Sequence, residues 1–332
     1  MPYQTNRIFH QGDGDMGNNN SAARGKAPGV NSIMWDTLTD LANLPLLPPI
    51  AIMQSGLPAV GTAVNRYGVY KSDPQGRGRR TNWSMIRFLY DGGDFARNEA
   101  RDLRALHANI KGTLDDGSKY FALHPKTFRI VPDTFLDGVI RIREDVGRPL
   151  TSAQKAKLYH EEYVPLCELL GIPAKDIEPD LKSFYEYYED LILNTMTYND
   201  TVKYLTTRSI ELPARFKYFK SAQPYADAAY KRWAYPAMKV SVIGALHPLY
   251  RERFDLPWSD HDKARYKKLC GRLNRYAKLV PRPLRYNPAA LGVMLGMHGP
   301  NLVTMEELER IEVKKAEYEA NKKLRAEQPA AR

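Results

Sequence analysis

Apolar residues recur at three- and four-residue steps along nearly the whole chain, and this period constrains the fold more than any other feature. The strict apolar–polar alternation of half-buried strands is scarce. The period therefore predicts an all-α protein. Helices are predicted at about residues 33–43, 49–66, 80–91, 94–111, 125–146, 151–170, 181–206, 223–245, 259–279, 287–297 and 302–325.

The residues at several predicted helix ends have suitable chemistry. Thr151 can cap the N-terminus of the sixth helix with its hydroxyl. Gly112 and Gly171 follow the fourth and sixth helices, where a helix commonly stops. The Asp115-Asp-Gly117 loop separates two apolar segments and predicts a small hairpin with residues 119–123 as one strand.

The chain of 332 residues, 43% of them apolar, can bury one large core. We expect a disordered polar leader over residues 1–32 and a single large helical domain over residues 33–300. Residues 301–332 read as a charged C-terminal helix or tail, polar nearly all round. We find no internal repeat of fixed period.

The net charge of +11 could suit nucleic acid, an anionic membrane surface or acidic ligands. Charges of both signs are spread along the chain, and no nucleic-acid-binding motif accompanies the densest basic region, residues 263–285. The sequence therefore does not favour nucleic acid as a partner. Residues 41–53 form the most apolar early run, which is too short to span a bilayer.

The two cysteines, Cys167 and Cys270, form no CxxC pair, so the sequence argues against a structural zinc site. Both lie in partly apolar, helix-like settings and are interpreted as buried free thiols in a reducing compartment. Residues 1–32 hold no apolar segment typical of a secretory signal. We expect a cytoplasmic protein without a transmembrane segment, and loose contact with a membrane surface stays open.

His107 lies on the apolar face of the helix predicted at 94–111, together with Leu103, Leu106 and Ile110. A buried neutral imidazole must place both ring nitrogens. A core histidine that bonds a carbonyl or carboxylate is the more common case. The functional alternative is an axial ligand of haem iron, with the second nitrogen held by an acceptor.

The helix that begins near residue 49 carries many small residues, among them Ser55, Gly56 and Gly61. They allow a flat group to approach the backbone, either a neighbouring helix or the face of a porphyrin. Pro58 predicts a kink. Gln54 is polar on an otherwise apolar segment and can reach into a pocket.

Four polar residues open the next helix: Arg77, Arg79, Arg80 and Thr81. Arg77 shares a helix face with Arg80 or with Thr81, because residues three or four apart are neighbours. Buried arginines need partners, and haem propionates suit the guanidinium fork. A solvated basic helix start is the equally simple alternative.

Several motifs, taken in order and with their spacing, resemble the catalytic domain shared by bacterial rubber oxygenases (latex-clearing proteins) and fungal MpaB-type oxygenases. The resemblance covers about residues 45–290. The matching motifs are Gln54-Ser-Gly-Leu-Pro58, Asp73-Pro-Gln-Gly-Arg77, Arg80-Thr81, Arg104-Ala-Leu-His107, Ile110-Lys-Gly112, Asp116-Gly117, Tyr120, Ala122, Leu170-Gly-Ile-Pro173, Leu256-Pro-Trp258 and Arg285-Tyr-x-Pro288.

The resemblance implies an all-α fold with a globin-like core that encloses haem b. His107 matches the proximal iron ligand of the family. Arg77 and Thr81 match polar residues of the distal pocket, and Arg80 stands where rubber oxygenases have a lysine. Because arginine stays protonated, Arg80 is expected to donate hydrogen bonds and not to ligate iron. Arg104, Gln54 and Gly56 are expected to contact the cofactor.

The chain departs from the family at two positions. Leu57 stands where the family often has histidine, and Ile130-Val131-Pro132 stands where it often has Trp-Val-His. Neither position is the matched iron ligand. Both changes could alter the support of the site or the substrate entrance.

These features lead to three hypotheses. The first is a haem-dependent oxygenase that uses O2 on an apolar, unsaturated, isoprenoid-like small molecule. Arg77, Arg80 and Thr81 would then stabilise negative charge during oxygen chemistry. The second is a haem-free helical scaffold or ligand-binding protein, favoured by Leu57 and Pro132. The third and weakest is a basic helical nucleic-acid binder that uses residues 263–285.

Overall fold

The computed structural model describes residues 25–68, 70, 73–207 and 235–301, with positions 228, 232 and 316. Its first half is built from seven helices. They are α1 (Ile33–Leu38), α2 (Pro48–Gly56), α3 (Pro58–Tyr67), α4 (Pro74–Leu89), α5 (Phe95–His107), α6 (Pro125–Phe128) and α7 (Ile130–Asp145). A 3-10 turn, Leu41–Leu46, links α1 to α2. The part of the chain that the structure describes is thus mostly helical, which confirms the all-α prediction.

The second half continues in the same way. Its helices are α8 (Ser152–Lys157), α9 (Val164–Leu169), α10 (Leu181–Asp190), α11 (Asp200–Thr207), α12 (Tyr235–Ala245), α13 (Pro248–Arg253), α14 (Asp260–Leu279) and α15 (Pro288–Met294). Two π-helical turns, Leu158–Tyr163 and Leu191–Thr195, follow α8 and α10, and 3-10 turns lie at Ala174–Asp176 and Arg282–Arg285. The helix predicted at 302–325, the first half of that at 223–245, and most of the leader lie outside the described residues.

The predicted hairpin is present. Strand β1 (Lys111–Thr113) pairs antiparallel with β2 (Lys119–Phe121), and Gly112 lies opposite Tyr120. Gly117 turns the chain with a φ of +83°, a conformation that favours glycine. The helix predicted at 94–111 therefore ends earlier than expected, because Gly112 belongs to a strand instead of a helix cap.

Helix α7 forms the centre of the core and is buried on nearly all sides. It packs against α1, α2, α12 and the Leu158–Tyr163 turn. Fully buried aromatic side chains from neighbouring elements, such as Trp35 and Tyr163, surround it. Residues 25–32, which the sequence interpretation places in the leader, pack on this domain: Ala27 is buried, and Lys26 N–H donates to the Pro165 carbonyl at 3.2 Å.

Three predicted helices are interrupted where proline or a π-helical turn intervenes. The helix predicted at 49–66 breaks at Leu57, which is extended because a residue before proline avoids the helical region. The axes on either side of the break differ by 104°. A π-helical turn precedes Pro165 within 151–170, and another divides 181–206. In the described residues, no single helix combines the length and hydropathy of a membrane span; only the bent pair Leu41–Gly56 and Pro58–Tyr67 would do so together.

The structure also contains the predicted helix ends at Thr151 and Gly171 and the predicted free thiols. Thr151 caps α8 in a reciprocal capping box with Gln154. Gly171 ends α9 with a φ of +74°. Cys167 and Cys270 are both buried and unpaired.

Candidate functional site

Helices α4 and α5 form an antiparallel hairpin with a buried polar clamp. Glu99 on α5 accepts hydrogen bonds from Ser84 Oγ and, at 2.5 Å, from Arg87 Nε on α4. Arg77 precedes Ser84 on α4, and His107 follows Glu99 on α5. The two separations are nearly equal in number of residues. Because each helical residue rises about 1.5 Å, the clamp brings these two residues to the same level of the hairpin.

His107 is the last residue of α5 and is partly buried. Its Nδ1 lies 2.7 Å from the Leu103 carbonyl oxygen. Since a carbonyl only accepts, Nδ1 carries the proton and Nε2 carries the lone pair. The ring packs edge-on against Phe128, with 5.5 Å between ring centroids. Burial lowers the pKa of His107, the Leu103 bond opposes this shift, and the nearby Arg77 charge adds to it.

Arg77 lies in the first turns of α4, which begins early because Asp73 caps it and Pro74 occupies a first-turn position. Its guanidinium reaches back towards Gly68, where a Cβ atom would lie 3.1 Å from Nη1. Burial, and then the like charge of Arg80, lower the pKa of Arg77. Among the described residues no carboxylate pairs with it.

The other two predicted catalytic residues, Arg80 and Thr81, have different surroundings. Arg80 pairs with Asp73 at 3.1 Å, and its buried Nε finds no hydrogen-bond acceptor in the described part of the chain. Thr81 is exposed on α4. The structure thus brings Arg77 and His107 together, while Arg80 is held at the start of α4 and Thr81 faces outward.

Arg104 and Gln54 bond to protein groups. Arg104 Nη1 donates to the Leu170 carbonyl at 2.9 Å and thereby ties the end of α5 to the end of α9. Gln54 Nε2 donates to Thr134 Oγ1 at 2.9 Å and so links α2 to α7. In the structure both side chains position helices around the hairpin.

The small residues of α2 and α3 face protein side chains. A Cβ atom on Gly56 would lie 3.2 Å from the Tyr250 ring, and one on Gly61 would lie 2.4 Å from Asn199 Nδ2. These segments therefore pack as a helix neighbour would require. At the two departures from the family, Leu57 is 3% exposed and Pro132 is buried in the first turn of α7.

Sequence reasoning missed a buried polar network on α7. Arg129 Nε bonds Asp133 at 3.1 Å, and Tyr163 donates to Asp133 at 2.6 Å. Arg129 also pairs with Glu178 and lies 4.3 Å from the centroid of the Tyr187 ring. Burial raises the pKa of Asp133 to about 6, against the lowering effect of Arg129. The acidic residues within the apolar 125–146 segment were the available signal.

A cavity of about 460 Å³ lies on the β1–β2 hairpin, which follows His107 in sequence. Its size suits small molecules. It is lined by Lys111, Gly112, Thr113, Lys119, Tyr120, Phe121, His124 and Thr127. His107 is not among these residues. Thr127 precedes Phe128 in sequence, so the cavity and the imidazole lie on neighbouring parts of α6.

The donor set fits haem better than a metal ion held by the protein alone. Within the described ranges, no group of three or more His, Cys, Asp or Glu side chains could hold a metal ion. A b-type haem needs one imidazole, because the porphyrin supplies four iron ligands. His107 offers a neutral ring with its lone pair fixed on Nε2, and Arg77, which pairs with no carboxylate in the described residues, offers a cation to a carboxylate or an oxygen atom.

The fold and the site define an all-α protein with a histidine–arginine site at the end of a helical hairpin. Residues 35–275 match the family described as "ER-bound oxygenase mpaB/B'/Rubber oxygenase, catalytic domain". This match covers most of the chain, and the chain belongs to this family. No curated protein and no solved structure matches it.

Proposed function

We propose that the protein is a haem b-dependent oxygenase that uses O2 on an apolar, unsaturated, isoprenoid-like small molecule. Membership of an oxygenase family supports the reaction class. One observation carries the proposal for this chain: the Leu103 carbonyl fixes the His107 lone pair on Nε2, beside an arginine without a carboxylate partner in the described residues.

Each residue of the site has a distinct part in this proposal. His107 Nε2 would hold the iron, and the bond to Leu103 would keep the ring oriented. Haem, when bound, supplies the activation of dioxygen. Arg77 would stabilise negative charge that develops on oxygen, as a preorganised donor does in a site that excludes water. Arg80, one turn further along α4, would add a second positive charge to the polar side of the pocket. Thr81, which is exposed on the same turn, would reach a bound group only from the solvent side.

The remaining predicted residues would act through position. Arg104 fixes the end of α5 and therefore the height of His107. Gln54 joins α2 to α7 next to the buried network. Gly56 would allow the two helices that meet at Tyr250 to stay close.

The visible absorption spectrum of the purified protein tests the proposal. With haem supplied during expression, we expect a Soret band that persists through purification and is lost in His107→Ala. The matched control is His261→Ala, which removes an exposed histidine of α14. A protein that stays colourless with added haem, or one whose Soret band is equally strong in His107→Ala, would contradict the proposal.

A second candidate function rests on how Gly56 and Gly61 are covered. Because protein side chains fill the space beside them, these two glycines leave no room for a porphyrin against the backbone there. This observation favours a haem-free helical binding protein. The cavity on the β1–β2 hairpin would then be its ligand-binding site. A colourless chain that binds an apolar small molecule, and loses that binding in Phe121→Ala, would support this alternative.

A further inference from the structure

The C-terminal part of the described domain has an unusual charge distribution. Residues 263–300, here called the basic stretch, contain no aspartate or glutamate. They contain nine Lys and Arg residues: Lys263, Arg265, Lys267, Lys268, Arg272, Arg275, Lys278, Arg282 and Arg285. Most of the net charge of +11 therefore lies in this stretch, although the other charges of the chain are mixed in sign.

Helix α14 displays most of these cations to solvent. It buries only Tyr266 and Cys270. Six of its cations are exposed: Lys263, Lys267, Lys268, Arg272, Arg275 and Lys278. Lys263 pairs with Asp260 at 2.9 Å, and in the described residues no carboxylate pairs with Arg272 or Arg275.

Large aliphatic side chains are exposed beside these cations. Leu279 is 75% exposed at the end of α14, and Leu284 is 71% exposed in the following 3-10 turn. Tyr276, which lies one turn before Leu279, is also exposed. Since positions three and four apart share a helix face, Arg272, Arg275 and Tyr276 adjoin Leu279.

Two inward-facing arginines hold Leu284 outside. Arg282 pairs with Asp36, and Arg285 pairs with Asp40. The bond from Arg285 Nε to the Val280 carbonyl, 2.9 Å long, tightens the turn. The chain therefore presents Leu284 from a fixed segment, where an apolar side chain in water gains nothing unless it meets a partner.

We propose that the exposed side of α14 and the 3-10 turn after it bind the surface of an anionic phospholipid bilayer. Leu279 and Leu284 enter the interface between headgroups and acyl chains, and the cations of α14 contact lipid phosphates. Charge complementarity supports this occupant, because a stretch without carboxylates is attracted to a negative surface and holds no negative side chain that the surface would repel.

The aliphatic character favours lipid over nucleic acid. Proteins that bind single strands stack bases on aromatic rings, whereas this face offers leucines and a single exposed tyrosine, Tyr276. Leu295 and Met297, later in the stretch, are exposed apolar side chains as well. Binding of this face to a bilayer requires neither haem nor the oxygenase reaction.

Co-sedimentation of the full chain with vesicles tests the proposal. We expect binding to phosphatidylcholine mixed with phosphatidylserine in about a two-to-one ratio, weak binding to phosphatidylcholine alone, and release at high salt. Arg272→Gln with Arg275→Gln should weaken binding about 25-fold, because each cation near the surface contributes about fivefold. Leu279→Asp with Leu284→Asp should weaken it at least about tenfold.

Matched controls separate this face from the rest of the surface. Leu193→Asp changes a leucine that is 45% exposed outside the basic stretch, and Arg97→Gln with Arg101→Gln changes two exposed cations of α5. Both should bind like the unchanged chain. Absence of vesicle binding, equal binding to both kinds of vesicle, or unchanged binding in the leucine variant would overturn the proposal. Binding of RNA, or self-association that depends on these leucines, without vesicle binding would overturn it too.

Discussion

Two regions of the molecule place an arginine in a partly or fully buried setting, and they treat its charge differently. In the α7 network, Arg129 meets Asp133, Glu178 and the Tyr187 ring. In the hairpin site, formed by Arg77 and His107, the structure describes no carboxylate partner for Arg77. A buried charge normally has a partner. The network therefore serves stability, and the lack of a described carboxylate partner for Arg77 supports the proposal that the hairpin site takes a ligand.

The largest expected effect comes from the network. Arg129→Met should lower the free energy of unfolding by about 3–5 kcal/mol, because it leaves the Asp133 carboxylate buried without its ion partner. Urea unfolding measures the change. As a control, Arg101→Met removes an exposed arginine that pairs with Asp102 and should change stability little. An equally small effect at Arg129 would erase the difference between the two regions.

Arg77 should respond in the opposite way. Arg77→Gln removes a cation that burial penalises, so the free energy of unfolding should stay the same or rise slightly. Turnover by the haem-loaded protein should fall about a hundredfold, the usual effect of removing one preorganised donor. Unfolding and steady-state turnover are measured on the same preparation. A large loss of stability with normal turnover would make Arg77 a structural residue.

A third prediction compares the two carboxylates of α7. Asp137 has weaker partners than Asp133: Tyr185 Oη lies 3.5 Å away and Arg141 Nε lies 3.9 Å away. Burial raises the pKa of Asp137 to about 7 from the ordinary value of 3.8. Between these two pKa values the folded state therefore binds more protons than the unfolded state. As pH rises towards 7, the contribution of Asp137 to the free energy of unfolding falls.

Asp137→Asn removes that loss. Relative to the unchanged chain, the variant should gain stability between about pH 5 and about pH 8, by up to about 1.4 kcal/mol per pH unit below the raised pKa. Urea unfolding at both pH values measures it. A stability difference between variant and unchanged chain that is the same at both values would show that Asp137 titrates normally.

The smallest effect concerns the hairpin site itself. Because burial and the Arg77 charge lower the pKa of His107, an NMR titration of the haem-free protein should find it below the ordinary value of 6.5. In Arg77→Gln the His107 pKa should move upward, since one like charge is gone. In Arg101→Gln it should stay unchanged. If the His107 pKa is the same in Arg77→Gln as in the unchanged chain, the two side chains do not face one another.

The helical period of the sequence predicts most helices, because one apolar stripe per helix is enough to specify it. It does not predict the 104° change of direction at Leu57, although Pro58 signals a kink, since the angle depends on the packing of α11 against α2 and α3. The spacing of apolar residues likewise does not predict the π-helical turns. They depend on local backbone hydrogen bonds that residue spacing does not encode.

The candidate site is predictable only in part. The motif resemblance selects Arg77 and His107, and the structure brings them to one level of the α4–α5 hairpin through Glu99. The protein partners of Gln54 and Arg104 could not be predicted, because Thr134 and Leu170 are distant in sequence. The same holds for Asp133, whose partner Tyr163 lies on another element and leaves no mark in local spacing.

The most direct test of the account asks whether His107 Nε2 is itself the iron ligand. In His107→Gly the retention of haem, followed by the Soret band during gel filtration, should be lost, and added imidazole should restore it by occupying the vacated position. Haem that stays bound in His107→Gly without imidazole would contradict direct ligation. Direct ligation would also be contradicted if added imidazole failed to restore haem retention in a His107→Gly variant whose circular dichroism is unchanged.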